Sequence, residues 1–273
     1  MPSLLDLPAR FLVKPGSKFK LSGADPGDTA GHKDADHADA IQDRNVSRIA
    51  ELQSRLWAQG KTGVLVVLQG MDTSGKDGTI RHLLTGVNPQ GVRVAGFKAP
   101  TPEELRRDYL WRVHANIPAR GEIGVFNRSH YEDVLVARVH GLVDAKACKA
   151  RYRQINDFER HLAENGYVLI KLMLNISNKE QRERLRERLE DPSKNWKMAL
   201  GDLAERKLWE KYMAAYQDML RACSTEHAPW RVIPSDKKWF RNLAVSEIVV
   251  RALTEIGPKY PEASVDLTGV KVV

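Results

Sequence analysis

The spacing of apolar residues changes at Val64. Before it, Ile41, Ile49, Leu52 and Leu56 recur at helical intervals, which predicts a helix from about Ala38 to a stop at Gly60. Beyond it the apolar residues gather into short runs: VLVVL at 64–68, VRVAGF at 92–97, EIGVF at 122–126, YVLIKLML at 167–174 and WRVIP at 230–234. These runs are rich in β-branched residues and apolar on both faces, the pattern of strands buried in a parallel sheet. Helical patterns follow Gly75, Thr101, Ser129, Ser177 and Ser235, so strands and helices alternate, which predicts a doubly wound α/β fold. The first 40 residues read as an arm, with turn signals at Pro15-Gly16 and Pro26-Gly27. Within it, His32 and His37 lie among aspartates, but nothing holds them in the rigid geometry of a metal site, and they read as a solvated lead-in to the helix. The expected organisation is an arm over 1–40, one domain over 41–256 and a tail over 257–273.

Composition narrows the class without defining it. The 273 residues are 42% hydrophobic and 29% charged, which fits a soluble globular chain. Runs such as Gly63 to Leu68 and Tyr167 to Leu174 fall far short of the ~20 residues that cross a bilayer. The N-terminus lacks a basic start followed by an apolar stretch, so no signal peptide is expected, and two cysteines are too few for a disulfide framework or zinc site. A cytoplasmic setting follows as the expectation. Forty-three Lys and Arg against 35 Asp and Glu leave a charge of +8. An anionic partner fits that balance: nucleotide, nucleic acid, polyphosphate or membrane surface. So does a merely solvated basic surface.

The loop after the first run carries the strongest chemical signal. GMDTSGKDGT, residues 70–79, begins with the pattern G-x-x-x-x-G-K between a strand and a helix, the context this motif requires. Gly70 and Gly75 let the backbone turn so that successive N–H groups, through Thr73, Ser74, Gly78 and Thr79, face an anion at the helix start, and Lys76 adds a point charge. Asp77 stands where a hydroxyl would ordinarily hold magnesium, so another group must carry the metal. Asp72 is a candidate Mg²⁺ ligand or acceptor-positioning base, because a carboxylate facing phosphates needs a bridging cation.

The third run ends in NRSHYED, residues 127–133, beyond the carboxyl end of a strand, where open α/β sheets bind ligands. Asn127 replaces the usual aspartate, Arg128 offers a planar fork to phosphate oxygens, and Asp133 is a second candidate metal ligand beside Asp72. Ser129, His130 and Asp133 are too crowded in sequence to form a hydrolase triad. Further on, SNKEQRERLRERLEDPSKNWK places Gln181, Arg184 and Arg188 on one helical face, beside Leu185 and Leu189, with Glu183, Glu187 and Glu190 across from them. Such a helix could be solvated and held by pairs like Glu180 with Arg184; in a chain with a phosphate loop it reads as a lid over transferring phosphates. Trp196, Trp209, Tyr212 and Tyr216 are expected to pack the lid helices together rather than to hold a base.

Together, GMDTSGKDGTI at 70–80, VNPQGVRVAGFKAPTPEEL at 87–105, GEIGVFNRSHYEDV at 121–134, INDFERHL at 155–162, EQRERLRERLEDPSKNWK at 180–197 and APWRVIPSDKKW at 228–239 resemble the polyphosphate kinase 2 family over roughly residues 41–256. The resemblance implies a P-loop kinase fold similar to thymidylate kinase: a five-stranded parallel sheet flanked by helices, with a helical lid at about 178–212. It implies reversible, Mg²⁺-dependent phosphoryl transfer between inorganic polyphosphate and AMP or ADP, with guanine nucleotides left open, in a homodimer or homotetramer that binds neither nucleic acid nor membrane. Carried over, Lys76, Arg184 and Arg188 would grip polyphosphate, while Asp72 and Asp133 would organise metal and acceptor. Arg128 would hold nucleotide phosphate, and Asn127 with Glu132 resembles the subgroup that accepts both AMP and ADP. Two other readings stay open: an ATP-dependent small-molecule kinase, and a P-loop protein that binds polyanion or nucleic acid without catalysis.

Overall fold

A computed structural model describes residues 7–198, 200–266 and 268. Five parallel strands form one sheet: β1 (Gly63–Gln69), β2 (Val92–Gly96), β3 (Ile123–Asn127), β4 (Tyr167–Asn175) and β5 (Trp230–Pro234), in the order β2-β3-β1-β4-β5. Every residue of β1 is buried, because β3 and β4 pair with it on either side and helices cover both faces. Alternation along the strands splits the core. Val64, Val66 and Leu68 face a layer built by α1 (Ala35–Gln59), α2 (Lys76–Leu83) and α7 (Lys238–Ile256). Leu65 and Val67 face α3 (Ala145–Glu164) and α6 (Trp209–Cys223). Ile41, Ile49, Leu52 and Leu56 are all buried, as their spacing predicts, and the helix ends at Gly60 with φ +63°. The α/β architecture expected from the alternating runs is therefore the one observed. Among the described residues no helix is long and apolar enough to cross a membrane.

Three expectations need correction. The run at 92–97 is not buried on both faces: β2 is an edge strand, hydrogen-bonded on one side only, and Val94 is 50% exposed. The helix expected after Ser129 is first a 3₁₀ turn, His130–Asp133, then a single α-helical turn, Val136–Val139, and α3 begins only at Ala145, where Asp144 caps it through the Ala147 N–H. The arm is docked. Val13 N–H donates to the Trp230 carbonyl and Val232 N–H to that of Phe11, while Leu7, Phe11 and Val13 are buried. Period-two reasoning misses this segment because it makes a single antiparallel bridge, at Leu12, and not a strand.

The sheet order reverses beside β1, since β2 and β3 lie to one side of it and β4 and β5 to the other. Such a reversal opens a crevice at the carboxyl ends of the strands. The loop 70–75, the 127–133 segment and the first turn of α4 (Asn178–Glu190) all meet there.

Candidate active site

The phosphate loop leaves β1 at Gly70, φ +154°, and enters α2 through Gly75, φ +104°, conformations that glycine tolerates and other residues rarely adopt. Thr73, φ +61°, takes the left-handed region at a cost, as does Arg128 at φ +64°; such strain gathers at functional sites. Lys76 is 7% exposed, and its Nζ folds back on the loop, donating to the Gly70 and Met71 carbonyls at 2.8 and 3.1 Å. Burial foremost, then the nearby Arg128 charge, brings its pKa down to about 8, against the opposing pull of Asp72, Glu132 and Asp77. Among the described residues the hydroxyls of Thr73, Ser74 and Thr79 are buried without a hydrogen-bond partner. Hydroxyls in and just after one glycine-rich turn are groups that can donate to the oxygens of an anion.

Helix α4 closes on this loop. Ser177 caps it through the Glu180 N–H, and its first turns reach the loop backbone, with Gln181 Nε2 donating to the Asp72 carbonyl at 3.2 Å. Arg188 donates to Asp72 Oδ2 at 2.8 Å and lies 3.6 Å from Asp202, which follows on α5 (Leu200–Lys207). Arg184 does something else. It is 5% exposed and gives its nitrogens to the carbonyls of Thr73 (2.9 Å), Ser74 (3.4 Å), Ser235 (2.6 Å) and Asp236 (2.9 Å), and to Glu180 (2.9 Å). In this conformation it ties the loop to the end of β5 and has no nitrogen free for phosphate. Leu185 is buried as its stripe predicts, but Leu189 is 56% exposed.

The 127–133 segment faces the loop from β3. Asn127 Nδ2 donates to Asp77 Oδ1 at 2.8 Å, and the lid residue Lys197 stands 3.6 Å from the same carboxylate. Arg128 pairs with Glu132 at 3.2 Å. Asp133, expected beside Asp72, points elsewhere: its carboxylate lies 3.6 Å from both Arg112 and Arg151 and does not line the cavity that Asp72 shares. The reason is the 3₁₀ turn, in which successive side chains diverge by about 120°. Glu132 therefore faces the loop and Asp133 faces away. Burial, outweighing the two arginines at that distance, raises the Asp133 pKa.

The cavity is lined by Gly70, Asp72, Arg128, Glu132, Asp202 and Glu205, with Tyr212 and Tyr216 as its wall. Sequence reasoning missed Asp202 and Glu205, for neither belongs to a motif and only the fold of α5 over the loop brings them in. Tyr212 and Tyr216 pack as expected, but Trp196 is 79% exposed. At about 50 Å³ the cavity is far below the ~300 Å³ of a typical ligand pocket, with α4 and α5 packed close against the loop. Carboxylate oxygens are the donors Mg²⁺ prefers, and the cavity offers four acidic side chains. Among the described residues, however, no three of His, Cys, Asp or Glu converge as a metal site.

Beneath the segment lies a buried polar network. Lys171 on β4, wholly buried, donates to Glu159 Oε2 at 2.6 Å, the Tyr131 hydroxyl at 2.9 Å and the Cys223 carbonyl at 2.7 Å. Glu159 also meets His130 Nε2 at 3.1 Å and the Tyr131 hydroxyl at 2.8 Å. Burial alone would raise the Glu159 pKa; Lys171 and His130 reverse this and hold it below the ordinary carboxylate value. The network anchors His130 and Tyr131, and through them sets where Arg128 and Glu132 stand.

A phosphate nest at the carboxyl end of the central parallel strand, covered by an arginine-bearing helix, defines a P-loop kinase. The family model of polyphosphate kinase 2 matches residues 32–260, and the chain belongs to that family. It is 51% identical to the AMP/ADP-polyphosphate phosphotransferase of Meiothermus ruber, over 93% of this chain and 95% of that one. It is 39% identical to the ADP-polyphosphate phosphotransferase of Rhodopseudomonas palustris, over 93% and 92%. The crystal structure of polyphosphate kinase 2 from Arthrobacter aurescens TC1 superposes with a TM-score of 0.92 at 46% identity, covering 96% of this chain and 94% of that one.

Proposed function

We propose that this chain catalyses reversible phosphoryl transfer between inorganic polyphosphate and an adenine nucleotide, taking AMP and ADP as acceptors. The observation that supports the reading is the set of three buried hydroxyls, unpartnered among the described residues, in and just after the glycine-rich loop that leads into buried Lys76. The names of the relatives from Meiothermus and Rhodopseudomonas support the donor and acceptor classes. In the forward direction a terminal phosphate oxygen of the acceptor attacks the terminal phosphorus of the polymer. That P–O bond forms as the bond to the next bridging oxygen breaks, and the polymer leaves one phosphate shorter.

Such a transition state needs alignment and positive charge more than covalent help. The amides of Gly70, Thr73 and Gly75 through Gly78, with Lys76, hold the donor end, whereas the Ser74 and Thr79 N–H groups are spent on the Met71 and Gly75 carbonyls. Arg188, released from Asp72 when the lid moves, meets the phosphates, whereas Arg184 keeps the loop in shape. Arg128 holds the acceptor phosphate, and Asn127 and Glu132 set whether one or two phosphates fit. A divalent cation, Mg²⁺ in our reading, would be held by Asp72 with help from Glu132 and would supply charge neutralisation between the two substrates. Asp133 is given no metal role; it orders Arg112 and Arg151. The lid must open to admit a nucleotide and then shut to exclude water. We place the working assembly as a homodimer or homotetramer in the cytoplasm, which light scattering and fractionation measure directly. Incubation with polyphosphate, Mg²⁺ and AMP or ADP, followed by ³¹P resonance, tests the reaction: new β- or γ-phosphate signals are expected, and their absence with both acceptors refutes it.

A further inference from the structure

Arg241 belongs to no motif discussed so far. It sits in the first turn of α7 and is 3% exposed, with its guanidinium against the turn that starts α2. A Cβ on Gly75 would fall 1.8 Å from its Nη1, and one on Gly78 would fall 3.3 Å from its Nη2. Nη1 makes a long hydrogen bond to the Ser74 carbonyl, 3.4 Å, and Nε and Nη2 reach Asn242 Oδ1 at 3.2 and 2.8 Å. Among the described residues none of its hydrogen bonds or ion pairs is to a carboxylate. Its charged neighbour is another cation, Arg184, which bonds the same Ser74 carbonyl but is itself neutralised by Glu180. Burial and the Arg184 charge bring the Arg241 pKa down to about 10.

A buried charge without a counter-ion destabilises the folded chain, so a side chain serving the fold alone would be better apolar. An anion in the loop nest, in contrast, gains from a cation fixed behind the loop amides, where water cannot screen it. We infer that Arg241 is a positioning residue for the donor: its planar fork sets the Gly75–Gly78 turn against α7, and the polyphosphate is the counter-ion that the fold withholds from it. This rests on the proposed polyphosphate chemistry and adds to it a residue outside the loop and lid.

Arg241→Gln and Arg241→Lys test it, with inorganic tripolyphosphate as probe, by the thermal midpoint with and without probe and by steady-state kinetics with ADP. Arg241→Gln is expected to melt at or above the parent without ligand, to lose most of the tripolyphosphate-induced shift, and to raise KM for polyphosphate about tenfold or more with KM for ADP little changed. That factor is the order expected for a unit charge ~10 Å from an anion at an effective dielectric of about 20. Arg241→Lys keeps the charge but not the fork, so its tripolyphosphate affinity is expected within about threefold of the parent while kcat falls. An Arg241→Gln chain that melts well below the parent or does not fold overturns the inference. So does one that binds tripolyphosphate as the parent does, or an Arg241→Lys chain as weak as the glutamine variant. If tripolyphosphate fails to shift the parent itself, the polyphosphate reading falls, and the inference with it.

Discussion

Lys76 ties activity and stability to pH in opposite senses. Its pKa falls from 10.5 to about 8 on folding, mainly through burial. At 1.36 kcal/mol per pH unit this is a cost of roughly 3 kcal/mol for holding the ammonium charged in the ligand-free loop. The unfolded chain binds the proton more tightly, so the cost is fully present below pH 8 and is relieved as pH rises from 8 towards 10.5; stability from this group rises through that window. Anion binding needs the charged form, so kcat/KM for polyphosphate, which reports the free enzyme, is expected to fall about tenfold from its plateau by pH 9. The kcat profile should hold to higher pH, because bound phosphate raises the pKa again. Lys76→Met removes the cost but leaves the Gly70 and Met71 carbonyls without their donor, at about 1 kcal/mol each, for a net gain near 1 kcal/mol at pH 7. Urea unfolding of both chains from pH 7 to 10, beside the polyphosphate kinetics of the parent, measures all of this. An alkaline limb absent from kcat/KM, or a stability difference between the chains that does not change between pH 8 and 10, would refute the reasoning.

Further predictions concern the lid, the buried network and the loop turn. Arg188→Gln frees the Asp72 carboxylate, so Mn²⁺ binding without substrates should tighten several-fold by electron paramagnetic resonance, whereas Arg186→Gln, which alters an exposed partner of Glu183, should leave it unchanged. Asp72→Asn should lower kcat by about 10²- to 10³-fold with a smaller change in polyphosphate affinity; equal losses in both would contradict its role. Glu159→Gln leaves Lys171 buried without its counter-charge and should cost about 3–5 kcal/mol by urea unfolding, but the double change Lys171→Met with Glu159→Gln should cost less than Glu159→Gln alone. Gly75→Ala drives a methyl into the Arg241 guanidinium at φ +104°, and loss of tripolyphosphate binding in a folded chain is the expected result of calorimetric titration.

The strands and the phosphate loop were legible because their signals are local. Five apolar runs of β-branched residues could pair in few ways, and G-x-x-x-x-G-K between a strand and a helix needs no distant residue to be recognised. What escaped was long-range. Asp133 and Glu132 are neighbours in sequence, and only the 3₁₀ turn decides which of them faces Asp72. Arg184 shares a helical face with Arg188, yet it lies one turn nearer the loop and meets carbonyls 110 and 111 residues away where Arg188 meets a carboxylate. Arg241, Asp202 and Glu205 reach the site only through the packing of α7 and α5. The exposed edge of β2 was hidden for a related reason, since a residue pattern does not say which strand lies outermost.

The docked arm has a consequence for biosynthesis. Its hydrogen bonds reach far along the chain, joining Val13 to Ser224 across 211 positions and Pro8 to Arg231 across 223. At ~5–20 residues per second, a ribosome releases the acceptor strand roughly 10–40 s after the arm has emerged. Through that interval Phe11 and Val13 have nowhere to go, and a nascent chain carrying them is exposed to capture by chaperones until its last strand arrives.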